Sequence, residues 1–160
     1  MSAKLSPAVA LAGFLGATVC VGVVGGLVSA PNISSWYAHL NKPPFTPPGA
    51  IFAPVWIILY VAMAVAAWLS WRTPTSSARS ASLRLWWIQL AANLSWTILF
   101  FGFHSPGVAL IVFSLLLVTI VLTMRSFYAI QPSATWLFAP YLAWCVLAFY
   151  LNAGILALNR

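Results

Sequence analysis

Long apolar stretches separated by short polar segments dominate the pattern of this chain. A helix that crosses a bilayer needs about 20 mostly apolar residues. The pattern therefore predicts five membrane-spanning helices, at about residues 7–30, 49–71, 82–103, 106–127 and 134–157. Because no linker or convincing internal repeat divides the chain, we expect a single transmembrane domain over residues 1–160.

The first apolar stretch has an alternative interpretation. Lys4 precedes it and the small residues VSA stand at 28–30, which is also typical of a secretory signal peptide. Its apolar run exceeds the length of an ordinary signal core, and this favours a spanning helix. The expected fold class is an all-α integral membrane protein, a bundle of five transmembrane helices.

Composition supports the membrane assignment and restricts the chemistry. Hydrophobic residues make up 63% of the chain, with seven Lys or Arg and no Asp or Glu. The lack of acidic side chains excludes a general acid–base carboxylate pair, carboxylate metal ligands and an intramembrane Asp or Glu proton relay. His39 and His104 fall at helix ends or in loops without a ligand motif, so we expect no metal site.

The net charge of +7 comes from bases that stand singly between apolar runs. They form no basic stripe, so no nucleic-acid partner is expected, and they indicate topology and contacts with lipid headgroups. Five of them share one side of the predicted bundle, and Lys42 and Arg160 share the other. In a bacterial inner membrane this distribution places the N-terminus in the cytoplasm. The five are Lys4, Arg72, Arg79, Arg84 and Arg125.

The first connection, WYAHLNKPPFTPP at 36–48, is rich in proline and aromatic rings. Proline fixes φ and has no N–H to donate, so this segment should stay extended until a helix begins just after it. We expect a semi-rigid lid whose rings, Trp36, Tyr37 and Phe45, are held over the mouth of the bundle. An aromatic belt at headgroup depth is the alternative.

Polar and aromatic residues recur at helical spacing inside the spans, where each polar group needs a partner or a cavity. Three helix faces could thus line a flat apolar pocket with a few polar anchors. Alternatively, the amides of Gln89, Asn93 and Asn152 join helices by hydrogen bonds. The faces are Gln89, Asn93, Trp96 and Thr97; Tyr141, Trp144, Ala148 and Asn152; and Trp56, Tyr60 and Met63.

Small residues mark positions where helices can approach closely. Gly22 and Gly26 on the first helix, and Ala91, Ala92 and Ser95 on the third, allow contact within one subunit or across a dimer.

Four segments resemble, in order and spacing, the TspO/translocator protein family, also called tryptophan-rich sensory proteins or peripheral-type benzodiazepine receptors. The resemblance runs from about Trp36 to Asn152, and its most specific motifs are W-Y-x-x-L-x-K-P-x-x-x-P-P and P-Y-x-x-W. Phe45 stands where the family usually has tryptophan. The segments are WYAHLNKPPFTPP, FAPVWIILYVAMAVAAW, QLAANLSWTILFFG and APYLAWCVLAFYLN.

The resemblance implies a receptor or sensor, usually a homodimer, that binds porphyrins such as protoporphyrin IX and haem as ligands and requires no cofactor. It also implies binding of synthetic isoquinoline carboxamide and benzodiazepine ligands, in a pocket under the first connection, and a role in tetrapyrrole transport or stress regulation. The implied lining is Tyr37, Pro47, Phe52, Trp56, Tyr60, Asn93, Trp96, Thr97, Trp144 and Ala148, to which the spacing of the last helix adds Tyr141.

Two alternatives stay open at this point. One is an enzyme that degrades porphyrin with light and oxygen, for which the resemblance implies Trp56 and Trp144 as the catalytic residues. The other is a transporter of small molecules or sterols. No base follows Tyr150 until Arg160, so the last helix lacks the sterol-recognition pattern.

Overall fold

The computed structural model describes residues 5–159, which form an all-helical bundle. Five of its helices are long and apolar enough to cross a membrane, as predicted. Lys4 and Arg160, which the topology argument used, lie outside the described residues. The helices are α1 (Pro7–Ser35), α2 (Phe52–Trp71), α3 (Ser77–Thr97), α4 (Pro106–Ile130) and α5 (Pro132–Leu158).

Short irregular helical pieces lie at one end of the bundle. Single 3₁₀ turns at Tyr37–His39 and Gly49–Ile51 interrupt the first connection, and the second of them leads directly into α2. A π-helical segment, Ile98–Gly102, continues α3 to the turn before α4. These irregular segments, and the first connection that contains two of them, surround the end of the bundle that holds the cavity described below.

Two helices extend about five residues beyond a predicted end, and α4 and α5 extend by up to three. The helix α1 continues past Pro31 to Ser35, because a proline near the end of a helix removes only one hydrogen bond. The helix α3 begins at Ser77, before its predicted start at 82. There the Ser76 hydroxyl accepts a hydrogen bond from the Arg79 backbone N–H at 3.1 Å and caps the helix.

The helices pack in a closed ring, in the order α1, α2, α5, α4, α3 and back to α1. Large side chains fill the centre, and the edge of the Phe14 ring meets Trp86 at 5.3 Å between centroids. The Trp86 indole N–H donates to the Met63 carbonyl at 3.0 Å, so this buried polar group is satisfied. The core therefore extends along the bundle and reaches the wall of the cavity, where Trp96 and Phe100 belong to both.

Candidate functional site

A cavity of about 890 Å³ lies at the end of the bundle that carries the first connection. All the helices except α4 contribute to its wall, and the connection between α1 and α2 covers it. This volume falls within the range of about 300–1,000 Å³ that is typical of sites for drug-sized ligands.

One wall of the cavity is a face of α1 built from small residues. Thr18, Gly22, Gly25 and Ser29 recur at helical spacing and all line the cavity. At Gly22 an added Cβ would come within 3.2 Å of the Tyr60 ring, so glycine permits α1 and α2 to meet here. The small side chains leave the volume that larger residues would fill.

The facing walls are mainly aromatic. The rings of Trp56 and Tyr60 on α2 lie 5.4 Å apart at a tilt of 30°. The π-helical segment turns the neighbouring Phe100 and Phe101 toward the cavity, below Trp96. A set of rings held at fixed tilts favours flat aromatic ligands, because offset and edge-to-face ring pairs are attractive.

The first connection is attached to the C-terminal end of α5. The Asn41 backbone N–H donates to Asn159 Oδ1 at 2.9 Å, and Asn159 Nδ2 donates back to the Asn41 carbonyl at 2.9 Å. The Tyr150 hydroxyl donates to the Pro44 carbonyl at 3.0 Å. At Gly154 the backbone approaches Pro43 so closely that an added Cβ would lie 2.6 Å from the ring. We call residues 36–48 the lid.

Lys42 brings a positive charge to the lid side of the cavity. Its ammonium donates to the Leu40 carbonyl at 3.1 Å and lies 4.8 Å from the centroid of the Tyr37 ring. Among the cavity-lining residues within 5–159, Lys42 alone is charged. Burial raises the pKa of the Tyr37 phenol above its ordinary value, so this hydroxyl stays protonated at physiological pH. The lid therefore offers one cation and one neutral hydroxyl to a ligand.

Part of the cavity wall between α1 and α2 reaches the outer surface of the bundle. Val19 and Val23 of α1 and Ile57 and Val61 of α2 line the cavity and are also exposed on that surface. This surface faces the hydrocarbon of a membrane. We call these four residues the side wall.

Behind the aromatic wall, a chain of hydrogen bonds joins α2, α3 and α5. The Tyr60 hydroxyl donates to Asn93 Oδ1 at 2.9 Å, and Asn93 Nδ2 donates to the Tyr141 hydroxyl oxygen at 3.1 Å. The Tyr141 hydroxyl donates to Gln89 Oε1 at 3.0 Å. Gln89 and Asn93 thus join helices, which is the alternative that the sequence left open.

Most of the residues expected to bind ligand line the cavity. Asn93 and Tyr141 lie behind its wall in the hydrogen-bonded chain, and Trp144 lies behind Phe52, with 5.4 Å between their rings. Within the described part of the chain, the buried Trp144 indole N–H has no hydrogen-bond partner. The expected residues that do line the cavity are Tyr37, Pro47, Phe52, Trp56, Tyr60, Trp96, Thr97 and Ala148.

Only one of the three lid rings lines the cavity. Tyr37 does so, whereas Trp36 stacks on the His104 ring at 4.4 Å and Phe45 is 89% exposed. Phe45 has φ of 62°, a backbone conformation that turns its side chain away from the bundle. The His104 Nε2 lies 2.8 Å from Asn32 Oδ1, so this imidazole ties the turn before α4 to α1.

The wall residues of α1 were not part of the expected site. The sequence pattern predicts Gly22 only as a point of close helix contact and predicts no role for Thr18, Gly25 or Ser29. Their sequence signal is a stripe of small residues at helical spacing, which equally describes a helix–helix interface. The position of α1 relative to the other helices shows that this stripe borders the cavity.

The fold and the cavity together define a class, a multi-pass integral membrane protein with a ligand-sized cavity under a connecting loop. The family model described as TspO/MBR family matches residues 14–158, and the chain belongs to this family.

Relatives come from all three domains of life. The tryptophan-rich protein TspO of Chlorobaculum tepidum is 37% identical over 149 residues, which cover 91% of this chain and 92% of the relative. The TspO of Archaeoglobus fulgidus is 33% identical over 143 residues, which cover 89% and 92% of the two chains. The translocator protein of Bos taurus is 39% identical over 119 residues, or 73% and 70%.

Proposed function

We propose that this chain is a membrane receptor or sensor that binds porphyrins, such as protoporphyrin IX or haem, in the cavity under the lid. The observation that carries the proposal is the cavity itself, about 890 Å³ in volume, with aromatic rings on its walls and one cation at its lid. Synthetic ligands of the isoquinoline carboxamide and benzodiazepine types are aromatic and largely apolar and would occupy the same space.

The two parts of a porphyrin match the two parts of the cavity. The macrocycle is a large flat apolar surface, and stacking on rings such as Trp56 and Phe100 contributes about 0.5–1.5 kcal/mol per pair beyond burial of area. The propionates carry negative charge, and the Lys42 ammonium is placed to attract them. No acidic side chain in the chain repels them.

The lid provides a way for occupancy to be sensed. Tyr37, Thr46 and Pro47 of the lid line the cavity, so a bound ligand touches the same segment that Asn159 holds on α5. A ligand can shift a conformational equilibrium only by contacts that differ between the two states. We propose that such lid contacts report tetrapyrrole levels to a regulatory partner or to a transport process.

The proposal is tested by a substitution on α1 that places a larger side chain in the cavity without a steric clash. Gly26 lines the cavity and Gly16 does not, and an added Cβ meets nothing within 4 Å at either position. We expect Gly26→Leu to weaken binding of protoporphyrin IX about tenfold or more, because its side chain occupies ligand volume. Gly16→Leu should leave binding unchanged.

Binding is measured in the dark as saturable quenching of tryptophan fluorescence in the purified full-length protein. Equal affinities of the Gly26 and Gly16 variants would refute the cavity as the binding site. Linear quenching without saturation in the unsubstituted protein would instead assign the rings to an interfacial aromatic belt.

The position of Trp56 supports a second candidate function, degradation of bound porphyrin in light. Trp56 lines the cavity, whereas Trp144 lies behind Phe52. The same samples are therefore illuminated in the presence of oxygen and the porphyrin absorbance is followed. A loss of absorbance that Trp56→Phe abolishes while dark binding is retained would favour the enzyme over the receptor.

We further propose a location and an assembly for the protein. Arg72, Arg79, Arg84 and Arg125 lie toward the end of the bundle opposite the lid, which in a bacterial inner membrane places the lid outside. Fusing a reporter enzyme that is active only outside the cytoplasm to either end of the chain tests this orientation.

The proposed assembly is a homodimer formed through the outer face of α3.

A further inference from the structure

A groove on the outside of the bundle, between α4 and α5, lies at the end opposite the lid. Its volume is about 380 Å³, and it shares no residue with the cavity. Its α4 residues recur at helical spacing and share one face. The groove is lined by Val121, Met124, Arg125, Tyr128, Thr135 and Leu142.

One part of the groove lining is apolar. Val121, Met124 and Leu142 form this part, and the neighbouring Thr135 hydroxyl is already used, since it donates to the Met124 carbonyl at 3.1 Å. This part therefore offers no free hydrogen-bonding group to a ligand. It suits a hydrocarbon chain.

The other part of the groove lining, Arg125 and Tyr128, is positively charged and polar. Within residues 5–159, neither the Arg125 guanidinium nor the Tyr128 hydroxyl forms a hydrogen bond, and both residues are exposed. A guanidinium is always charged and has five N–H donors in a planar fork that suits phosphate. The sequence contains no Asp or Glu that could pair with it. Its counter-ion must therefore come from outside the chain.

The depth of the groove in a membrane agrees with this division. The 25-residue helix α4 is about 37 Å long, somewhat more than the roughly 30 Å of the hydrocarbon core. Arg125 lies about five residues, or roughly 7 Å, before the end of α4 and can extend its side chain to the headgroup level. Val121 lies about 6 Å deeper, among the acyl chains.

We propose that the groove binds one anionic phospholipid. Its phosphate contacts the Arg125 guanidinium and the Tyr128 hydroxyl, and one acyl chain lies along Val121, Met124 and Leu142. This inference does not depend on the proposed ligand of the cavity. The sequence predicts only general contacts between the scattered bases and lipid headgroups, whereas this proposal gives Arg125 a specific binding site.

The probe is dioleoyl phosphatidylglycerol, titrated into the purified full-length protein in detergent and counted on the protein by native mass spectrometry. Arg125→Gln removes the charge in the groove. Arg84→Gln is the matched control, because Arg84 is exposed on α3 toward the same end of the bundle but does not line the groove.

We expect the unsubstituted protein to retain one phosphatidylglycerol. The Arg125→Gln variant should bind it about tenfold more weakly, because the loss of one charge-assisted hydrogen bond lowers the affinity by about this factor. Arg84→Gln should retain it with unchanged affinity. Tyr128→Phe, which alters only the hydroxyl of an exposed ring, should weaken binding by a smaller factor and provides a second measurement if Arg125→Gln does not fold.

Three results would overturn the proposal. Equal weakening in the Arg84 and Arg125 variants would mean diffuse attraction to a positive end of the bundle. Equal retention of phosphatidylcholine would mean that the groove does not select an anionic lipid. Displacement of the lipid by glycerol phosphate at similar concentrations would mean that the apolar wall contributes nothing.

Discussion

Tyr141 occupies the middle of the buried chain of hydrogen bonds and uses its hydroxyl twice. It accepts from Asn93 and donates to Gln89, and the residue is fully buried. Tyr60 lies at the end of the same chain and uses its hydroxyl once, as a donor to Asn93. The two tyrosines therefore differ in how many partners lose a hydrogen bond when the hydroxyl is removed.

We expect Tyr141→Phe to lower the free energy of unfolding by about 2–4 kcal/mol, because a buried donor and a buried acceptor both lose their partner. Tyr60→Phe should cost about 1 kcal/mol, since it leaves one acceptor and lies where the cavity can admit water. Unfolding in mixed micelles of increasing denaturing detergent, followed by circular dichroism, measures both. Equal losses would contradict the assigned hydrogen bonds.

Helical spacing predicted which residues share a face, but not how deep each one lies. Asn93 and Thr97 are one turn apart on α3, yet Thr97 lines the cavity and the Tyr60 hydroxyl covers Asn93. Trp144 and Ala148 are likewise one turn apart on α5, and the Phe52 ring lies against Trp144. The depth depends on side chains from other helices, which the spacing along one helix does not contain.

At the scale of elements, the lid acts as one unit because several contacts attach it to a single helix. Asn41, Pro43 and Pro44 all contact α5 or the residue directly after it. The position of the lid therefore depends on how closely the backbone of α5 approaches it at Gly154.

Gly154→Ala is expected to lift the lid from α5. The new Cβ would lie 2.6 Å from the Pro43 ring, so one of the two must move. We expect a loss of about 1–3 kcal/mol in stability and faster hydrogen exchange at the Asn41 amide, whose acceptor is Asn159. Gly107→Ala is the control, because its Cβ would meet Leu156 at an ordinary 3.7 Å.

Mass spectrometry of backbone amide exchange distinguishes a local from a global effect. Faster exchange confined to the lid peptide in Gly154→Ala would support the attachment to α5. Exchange that rises equally in every helix would mean that the substitution destabilises the whole bundle and that the lid is not an independent unit.

The number and type of the helices could be predicted from hydropathy, because apolar runs of spanning length have few alternatives. Their ends could not be predicted as well. Hydropathy decreases where a helix leaves the hydrocarbon, but hydrogen bonding continues the helix until a cap such as Ser76 or the end of α1 at Ser35. The π-helical segment had no signal in the sequence pattern.

At the scale of the whole molecule, the outer face of α3 is suited to contact with a second copy. Ala91 and Ser95 are exposed one turn apart, so another helix could approach closely there. The stripe of Gly22 and Gly25, by contrast, faces Tyr60 and Thr97 of the same chain. The proposed homodimer uses this outer face of α3.

Ala91→Leu should shift the proposed homodimer toward monomer, because a larger side chain keeps the two α3 helices apart. Ala143→Leu, at an exposed position on α5, is the matched control and should have no effect. Single-molecule photobleaching of labelled protein in vesicles counts the subunits. The same dimer fraction in both variants would exclude this face of α3.

The side wall separates the cavity from the bilayer by only four exposed apolar side chains. A hydrophobic ligand that enters between α1 and α2 is drawn from the bilayer, so its concentration per volume of lipid sets the occupancy. Partitioning concentrates such a molecule in lipid, and a modest intrinsic affinity is then sufficient for sensing. Empty vesicles added at constant total ligand would therefore lower the occupancy, because the added lipid dilutes the ligand within the membrane.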